Sequence, residues 1–186
     1  IGLFSLLPET PFKNRLRCAF YNRKTAPEGL QMSFKDGLFH AELFGIHAVF
    51  VSNPYYKGLA TVMGYFQRHS VEPGDLVVDA GACEGDFTVF AAKMAGPEGR
   101  VVAFEPDEAN ADALEANVDA NGLKNVVLVR KGVWSENTVV QFHNAQGQYS
   151  FVEQDPQADF ADAAAIPVVK LDDELGKRDI HQLNFL

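Results

Sequence analysis

The stretch Val77-Val78-Asp79-Ala80-Gly81-Ala82-Cys83-Glu84-Gly85-Asp86-Phe87 decides the fold of this chain. Leu76–Ala80 is a short apolar run, the texture of a strand buried on both faces. Gly81–Gly85 then turns the chain. Phe87, Phe90, Ala91 and Met94 follow on one side of a helix that Gly96-Pro97 stops. A buried strand running into a glycine-rich turn and a helix opens a doubly wound unit, where ligands bind outside the carboxyl ends of the strands.

Downstream the pattern repeats. Val101–Phe104 reads as a second buried strand, and Asp107 can cap a helix running to about Ala120, ended by Asn121-Gly122. Val126–Val129 is a third strand. Strands alternating with helices at this spacing predict an α/β, doubly wound (Rossmann-like) parallel sheet with right-handed crossovers. Residues 133–150 are expected to add β structure around Val139–Phe142. The acidic, alanine-rich residues 153–165 read as an exposed loop, Val168–Leu171 as a short strand, and Asp172 to about Gly176 as a helix. Leu183–Leu186 has the character of a fourth parallel strand, so the sheet is expected to be truncated at its C-terminal side.

Upstream, residues 1–70 read as an N-terminal α+β extension ahead of the domain at 71–186. Thr10-Pro11 starts a helix over 11–22, with Phe12, Leu16, Ala19 and Phe20 at helical spacing. Gln31–Lys35 and Leu38–Leu43 flank Asp36-Gly37, a dipeptide suited to a tight hairpin, and Ile46–Val51 follows as a third strand. Leu59, Val62, Met63 and Phe66 mark the apolar face of a helix.

Net charge is −9 and unevenly spread: residues 1–70 carry eight Lys/Arg against four Asp/Glu, and residues 71–186 carry eight against twenty-one. Such an acidic body repels phosphate backbones, so nucleic acid is not an expected partner. The basic cluster Lys13, Arg15, Arg17, Arg23 and Lys24 reads as a solvated helix face. No apolar run approaches the ~20 residues of a membrane span. Two lone cysteines, Cys18 and Cys83, form no disulfide framework and fit a reducing, cytoplasmic setting. The five histidines show no metal spacing or triad partner, so no metal site is expected.

The glycine-rich turn carries the chemistry. Gly81 and Gly85 allow a ligand to approach the backbone. Glu105 lies 20 residues past Gly85, at the end of the next strand, where a carboxylate can accept both hydroxyl hydrogens of a ribose. The dinucleotide fingerprint requires G-x-G-x-x-G, yet its first two glycines are here Ala80 and Ala82, and no Walker lysine is present. Asp79 and Glu84 put negative charge in the turn. That charge is unfavourable beside a pyrophosphate and favourable beside the sulfonium and ammonium of S-adenosylmethionine.

Asp79-Ala80-Gly81-Ala82-Cys83-Glu84-Gly85 resembles the first motif of class I methyltransferases. Phe104-Glu105-Pro106 with Asp107 and Asn110 resembles the second motif of the FkbM-type family. Val127–Trp134 and Val168-Val169-Lys170-Leu171-Asp172-Asp173-Glu174-Leu175 are similar to that family in order and spacing, over roughly residues 71–186. The resemblance implies S-adenosylmethionine as cofactor. It puts Asp79, Gly81, Ala82 and Gly85 beside the methionine part, Glu105 on the ribose with Pro106 shaping its turn, and Gly132 and Val133 near the adenine. Arg130-Lys131-Gly132 departs from the acidic residue that many other class I enzymes use for the adenine amine.

Family members typically methylate a hydroxyl on a sugar or secondary metabolite, which implies a small-molecule or glycan acceptor. The Lys-x-Asp-x-Glu-Gly motif they carry on the fourth strand would fall past Leu186, and no catalytic base is assigned. Glu84 reads equally as a cofactor contact and as a cap of the following helix. Cys83 reads as packing beside the cofactor, Trp134 and Tyr149 as pocket lining or packing, and Tyr149-Ser150 as part of a substrate loop. Two rival readings stand beside the methyltransferase: a nicotinamide dehydrogenase, and a non-catalytic relative that binds a partner through residues 1–70.

Overall fold

A computed structural model describes residues 4, 8–25, 29–54, 59–66, 68–143, 151–152 and 163–186. Helix α1 (Pro11–Thr25) leads into three antiparallel strands, β1 (Gln31–Lys35), β2 (Leu38–Leu43) and β3 (Ile46–Phe50). The β1–β2 turn is Asp36-Gly37 with φ of 53° and 82°, the double positive φ that makes this dipeptide a hairpin turn. Helix α2 (Leu59–Phe66) buries Leu59, Val62, Met63 and Phe66, the stripe its spacing predicts.

The helical face of α1 differs from expectation. Phe12 and Leu16 point outward, 68% and 40% exposed, while Cys18, Tyr21 and Thr25 pack inward at i, i+3 and i+7. Nor are all its cations solvated. Lys13 is buried and donates to Glu9 Oε1 at 2.6 Å, and Arg17 donates to the same carboxylate. Hydrogen bonds from Arg17 and then Lys13 hold the Glu9 carboxyl down at about 2. These partners come from outside the helix, which periodicity within it does not reveal.

A parallel sheet follows in the order β4-β5-β6: β4 (Leu76–Ala80), β5 (Arg100–Phe104) and β6 (Val126–Val129). Helix α3 (Asp86–Ala95) connects β4 to β5, and α4 (Glu108–Ala120) connects β5 to β6. Asp107 caps α4 by accepting from Asn110 N at 2.9 Å. On the other edge of β4, Phe185 bridges in parallel to Val77; Val78 N donates to Phe185 O at 2.9 Å and Asn184 N to Leu76 O at 3.0 Å. Strand order therefore reverses at β4, the arrangement that opens a crevice at the carboxyl ends in a doubly wound sheet. The chain is an α/β protein of this Rossmann-like class.

Alternation along the strands gives the sheet two buried faces. Val77 and Val101 join α3 and the N-terminal sheet in one apolar core that includes Leu43, Phe50 and Phe90. Val78, Val102 and Phe104 pack on the other face against Val169, Leu175 and Ile180. Phe50, Phe90 and Phe104 are fully buried, each contributing about 2–3 kcal/mol relative to exposure. Asn121 ties the layers further: its side chain accepts from Val49 N at 3.0 Å and donates to Val49 O at 2.7 Å.

A second, mixed sheet has the order β7-β10-β8-β9, from β7 (Gly132–Val133), β8 (Thr138–His143), β9 (Phe151–Val152) and β10 (Ala163–Val169). Here the loop expected over 153–165 is corrected at its end. Ala163, Ala164 and Ala165 belong to β10, paired with His143, Phe142 and Gln141 of β8. Small alanines beside acidic residues read as loop; the partner strand supplies what local propensity lacks. The rest of that loop, at 153–162, and Tyr149-Ser150 lie outside the described residues. Helix α5 (Leu171–Gly176) follows β10 directly. Among the described residues no helix is long and apolar enough to cross a membrane.

Candidate cofactor site

The turn after β4 is built against the end of β5. Gly81 N and Ala82 N both donate to Phe104 O at 2.9 Å, and Gly85 N donates to Ala82 O at 2.8 Å. Two glycines permit this path. Gly81 has φ 84° with open space where a Cβ would stand. Gly85 has φ 85°, and a Cβ there would meet Leu114 Cγ at 2.8 Å. Cys83 also adopts a positive φ of 49°, uncommon for a side-chain-bearing residue.

Glu105 explains how Cys83 is held. Its Oε2 accepts Cys83 N at 2.8 Å, and its Oε1 accepts Asp107 N at 2.9 Å. The Asn110 side chain also bonds this carboxylate, which leaves about one of its four acceptor sites beyond these bonds. Burial pushes the Glu105 carboxyl up, opposed by the bonds from Asp107 and Cys83.

Asp79 is the last residue but one of β4, one strand away, in register with Ala103. The Thr88 hydroxyl, fully buried in α3, donates to Asp79 Oδ2. Burial pushes the Asp79 carboxyl up to about 6 against that bond, and the nearby Glu105 charge adds to the rise. Neither Asp79 nor Glu105 has an ion-pair partner among the described residues. Cys83 lies between these groups. Burial pushes its thiol up to about 11, helped by the charges of Glu105, Asp79, Asp86 and Glu84, so it is a poor nucleophile.

Glu84 is nearly buried, and its Oε2 accepts the hydroxyl of Ser52 from just past β3. The N-cap of α3 is Gly85. Asn117, fully buried in α4, donates to Glu84 O at 2.8 Å and accepts from Val51 N at 2.8 Å.

Past β6, Gly132 lies beside Pro106. A Cβ on Gly132 would stand 3.0 Å from Val168 Cγ1 and 3.8 Å from Pro106 Cγ. The adjoining cations are occupied. Arg130 pairs with Glu108, Asp112 and Glu115 of α4, and Lys131 reaches Glu174. Trp134 is half-buried, and its backbone N–H donates to Val169 O at 2.8 Å.

Asp79, Gly81, Ala82, Glu84, Gly85 and Glu105 therefore converge on one turn, while Pro106, Gly132 and Val133 gather beside the end of β5. Thr88, Ser52 and Asn117 were not legible as site residues. Thr88 had one available signal, its place in the first turns of the helix that the glycine-rich turn opens. Ser52 had none, because it approaches Glu84 from 32 residues away. Among the described residues no cluster of three or more His, Cys, Asp or Glu side chains is arranged for a metal ion.

Comparison with known proteins bears on the same segment. A family model described as the FkbM methyltransferase domain matches residues 79–186, more than half of the chain. Similar solved structures include a proposed rRNA methylase from Clostridium thermocellum (28% identity, 41% of each chain covered, TM-score 0.37). A SAM-dependent methyltransferase from Aquifex aeolicus matches with 26% identity over 41% of this chain and 39% of that one (TM-score 0.35). A SAM-dependent O-methyltransferase from Thermotoga maritima matches with 18% identity over 53% of this chain and 43% of that one (TM-score 0.39). The matched segment spans about two fifths of the length of each of these proteins. The match over residues 79–186 places this chain in the FkbM methyltransferase domain family.

Proposed function

We propose that the chain binds S-adenosylmethionine and serves transfer of its methyl group to a hydroxyl of a sugar or other small metabolite. The observation that carries the reading is the joint placement of Asp79 and Glu105. They end adjacent parallel strands around a turn that has carboxylates where a pyrophosphate site needs an unobstructed backbone. A cation is the ligand this field favours. Gly81 leaves room for it, and Glu105 keeps acceptor capacity for a ribose hydroxyl.

When bound, S-adenosylmethionine supplies an electrophilic methyl carbon on a sulfonium. In this reading Asp79, Gly81, Ala82, Glu84 and Gly85 border the methionine part. Glu105 accepts from the ribose, Pro106 shapes that wall, and Gly132 and Val133 flank the adenine. The chain's contribution to rate is alignment, holding sulfur, carbon and acceptor oxygen in line. The net charge of −9 supports a small, neutral acceptor over a polyanion. Residues 1–70 act in this reading as an extension that buttresses the cofactor turn.

Calorimetry with S-adenosylhomocysteine and with NAD tests the cofactor. Binding of the first without the second is expected; the reverse would overturn the reading. Labelled methyl transfer to sugar, small-metabolite and RNA acceptors tests the substrate class, and transfer to RNA alone would overturn the hydroxyl-metabolite assignment.

A further inference from the structure

The Glu84 carboxylate lies in the glycine-rich turn, yet the hydroxyl that orients it comes from a different layer of the molecule. Ser52 follows β3 of the N-terminal sheet, and its Oγ donates to Glu84 Oε2. Asn117 fixes the same two segments to each other, joining Val51 N and Glu84 O through opposite ends of one amide at 2.8 Å each. Glu84 is thus gripped at its backbone and at its side chain, and both grips lead to residues 51–52. A long carboxylate side chain without such a donor samples several rotamers; one hydroxyl bond selects among them.

We propose that Ser52 is a positioning residue for the cofactor site, aiming the Glu84 carboxylate at the α-ammonium of the cofactor's amino-acid part. The inference rests on the cofactor reading above and adds to it a residue from outside the matched 79–186 segment. It makes the N-terminal layer a determinant of cofactor affinity. The effect is specific to one end of the ligand: the adenosine end is served by Glu105, which Ser52 does not touch.

That asymmetry sets the experiment. Affinities of S-adenosylhomocysteine and of 5′-methylthioadenosine, which lacks the amino-acid part, are measured by calorimetry on the full chain and on Ser52→Ala and Ser52→Thr. Ser52→Ala is expected to weaken S-adenosylhomocysteine about tenfold and to leave 5′-methylthioadenosine within twofold. Ser52→Thr, which keeps the hydroxyl, is expected to restore most of the loss. Equal weakening of both ligands by Ser52→Ala would show a merely structural role and overturn the proposal. Unchanged binding of both by a folded Ser52→Ala variant would overturn it too. A parent chain that binds neither ligand would overturn the cofactor reading itself, and the positioning role with it.

Discussion

Glu105 accepts the backbone N–H of Cys83 at 2.8 Å, a bond across 22 residues that fastens the turn after β4 to the end of β5. The carboxylate therefore has two tasks in the proposed site: it shapes the turn, and it presents acceptors to a ribose. Glu105→Ala removes both. The variant is expected to bind S-adenosylhomocysteine at least tenfold more weakly, about 1.5–3 kcal/mol, by calorimetry. Glu105→Gln can still accept one amide and is expected to lose less. An affinity for Glu105→Ala equal to the parent's would remove Glu105 from the site.

The Asp79 carboxyl, pushed up to about 6 chiefly by burial, predicts a pH dependence in two parts. The α-ammonium, which S-adenosylhomocysteine keeps although its sulfur is a neutral thioether, favours the ionised form, so affinity for that ligand should fall as pH drops through 6. The limiting slope is about tenfold per pH unit. Asp79→Asn should bind more weakly at pH 7.5 and show a flatter profile. Stability runs the other way. Because the folded value exceeds the ordinary 3.8, the group's favourable contribution to the ligand-free fold is complete below about pH 4. It is lost as pH rises through 6, a change of about 2–3 kcal/mol. Denaturant titrations of parent and Asp79→Asn between pH 4 and 7.5 measure that difference.

Two glycines of one turn should respond differently to alanine. Both have positive φ near 85°, so each substitution strains the backbone by about 1 kcal/mol. At Gly81 the new methyl meets nothing, and Gly81→Ala should fold while binding S-adenosylhomocysteine less well. At Gly85 it lies 2.8 Å from Leu114 Cγ, inside a packed contact, and Gly85→Ala should lose a further 1–3 kcal/mol, about that typical of overpacking. Thermal melts with and without ligand separate the two; equal melting temperatures would contradict the packing argument.

Asn117→Leu fills a similar volume but strands two groups, the buried Glu84 O and the part-buried Val51 N. The buried unsatisfied group costs about 1–3 kcal/mol and the part-buried one less, so a loss of roughly 2–4 kcal/mol in urea unfolding is expected. A loss below about 1 kcal/mol would mean that the bridge between the layers adds little.

Much of this fold is written in local patterns. Asp36-Gly37 specifies a hairpin through its own backbone preferences, and the α2 stripe of Leu59, Val62, Met63 and Phe66 buries as its spacing predicts. Asp107 caps α4 because the capping bond spans only three residues. The misread elements depend on partners outside the element itself. Ala163–Ala165 become strand through pairing with β8, and Lys13 pairs with Glu9 just before the helix. The site divides along the same line. Asp79, Gly81, Gly85 and Glu105 stand out in a compact motif, and the fold brings them to one turn. Ser52 and Asn117 act through bonds spanning 32 and 66 residues that no local pattern signals.

Strand β4 has a parallel neighbour on each edge, β5 on one and the Phe185 segment on the other. Its amides are thus shielded from solvent deuterium by partners that lie about 80 residues apart in the sequence. Val77 and Val78 should exchange only when the sheet opens as a whole. A ligand docking at the end of this strand would meet a backbone hydrogen-bonded on both edges, so little ordering of that strand would oppose binding.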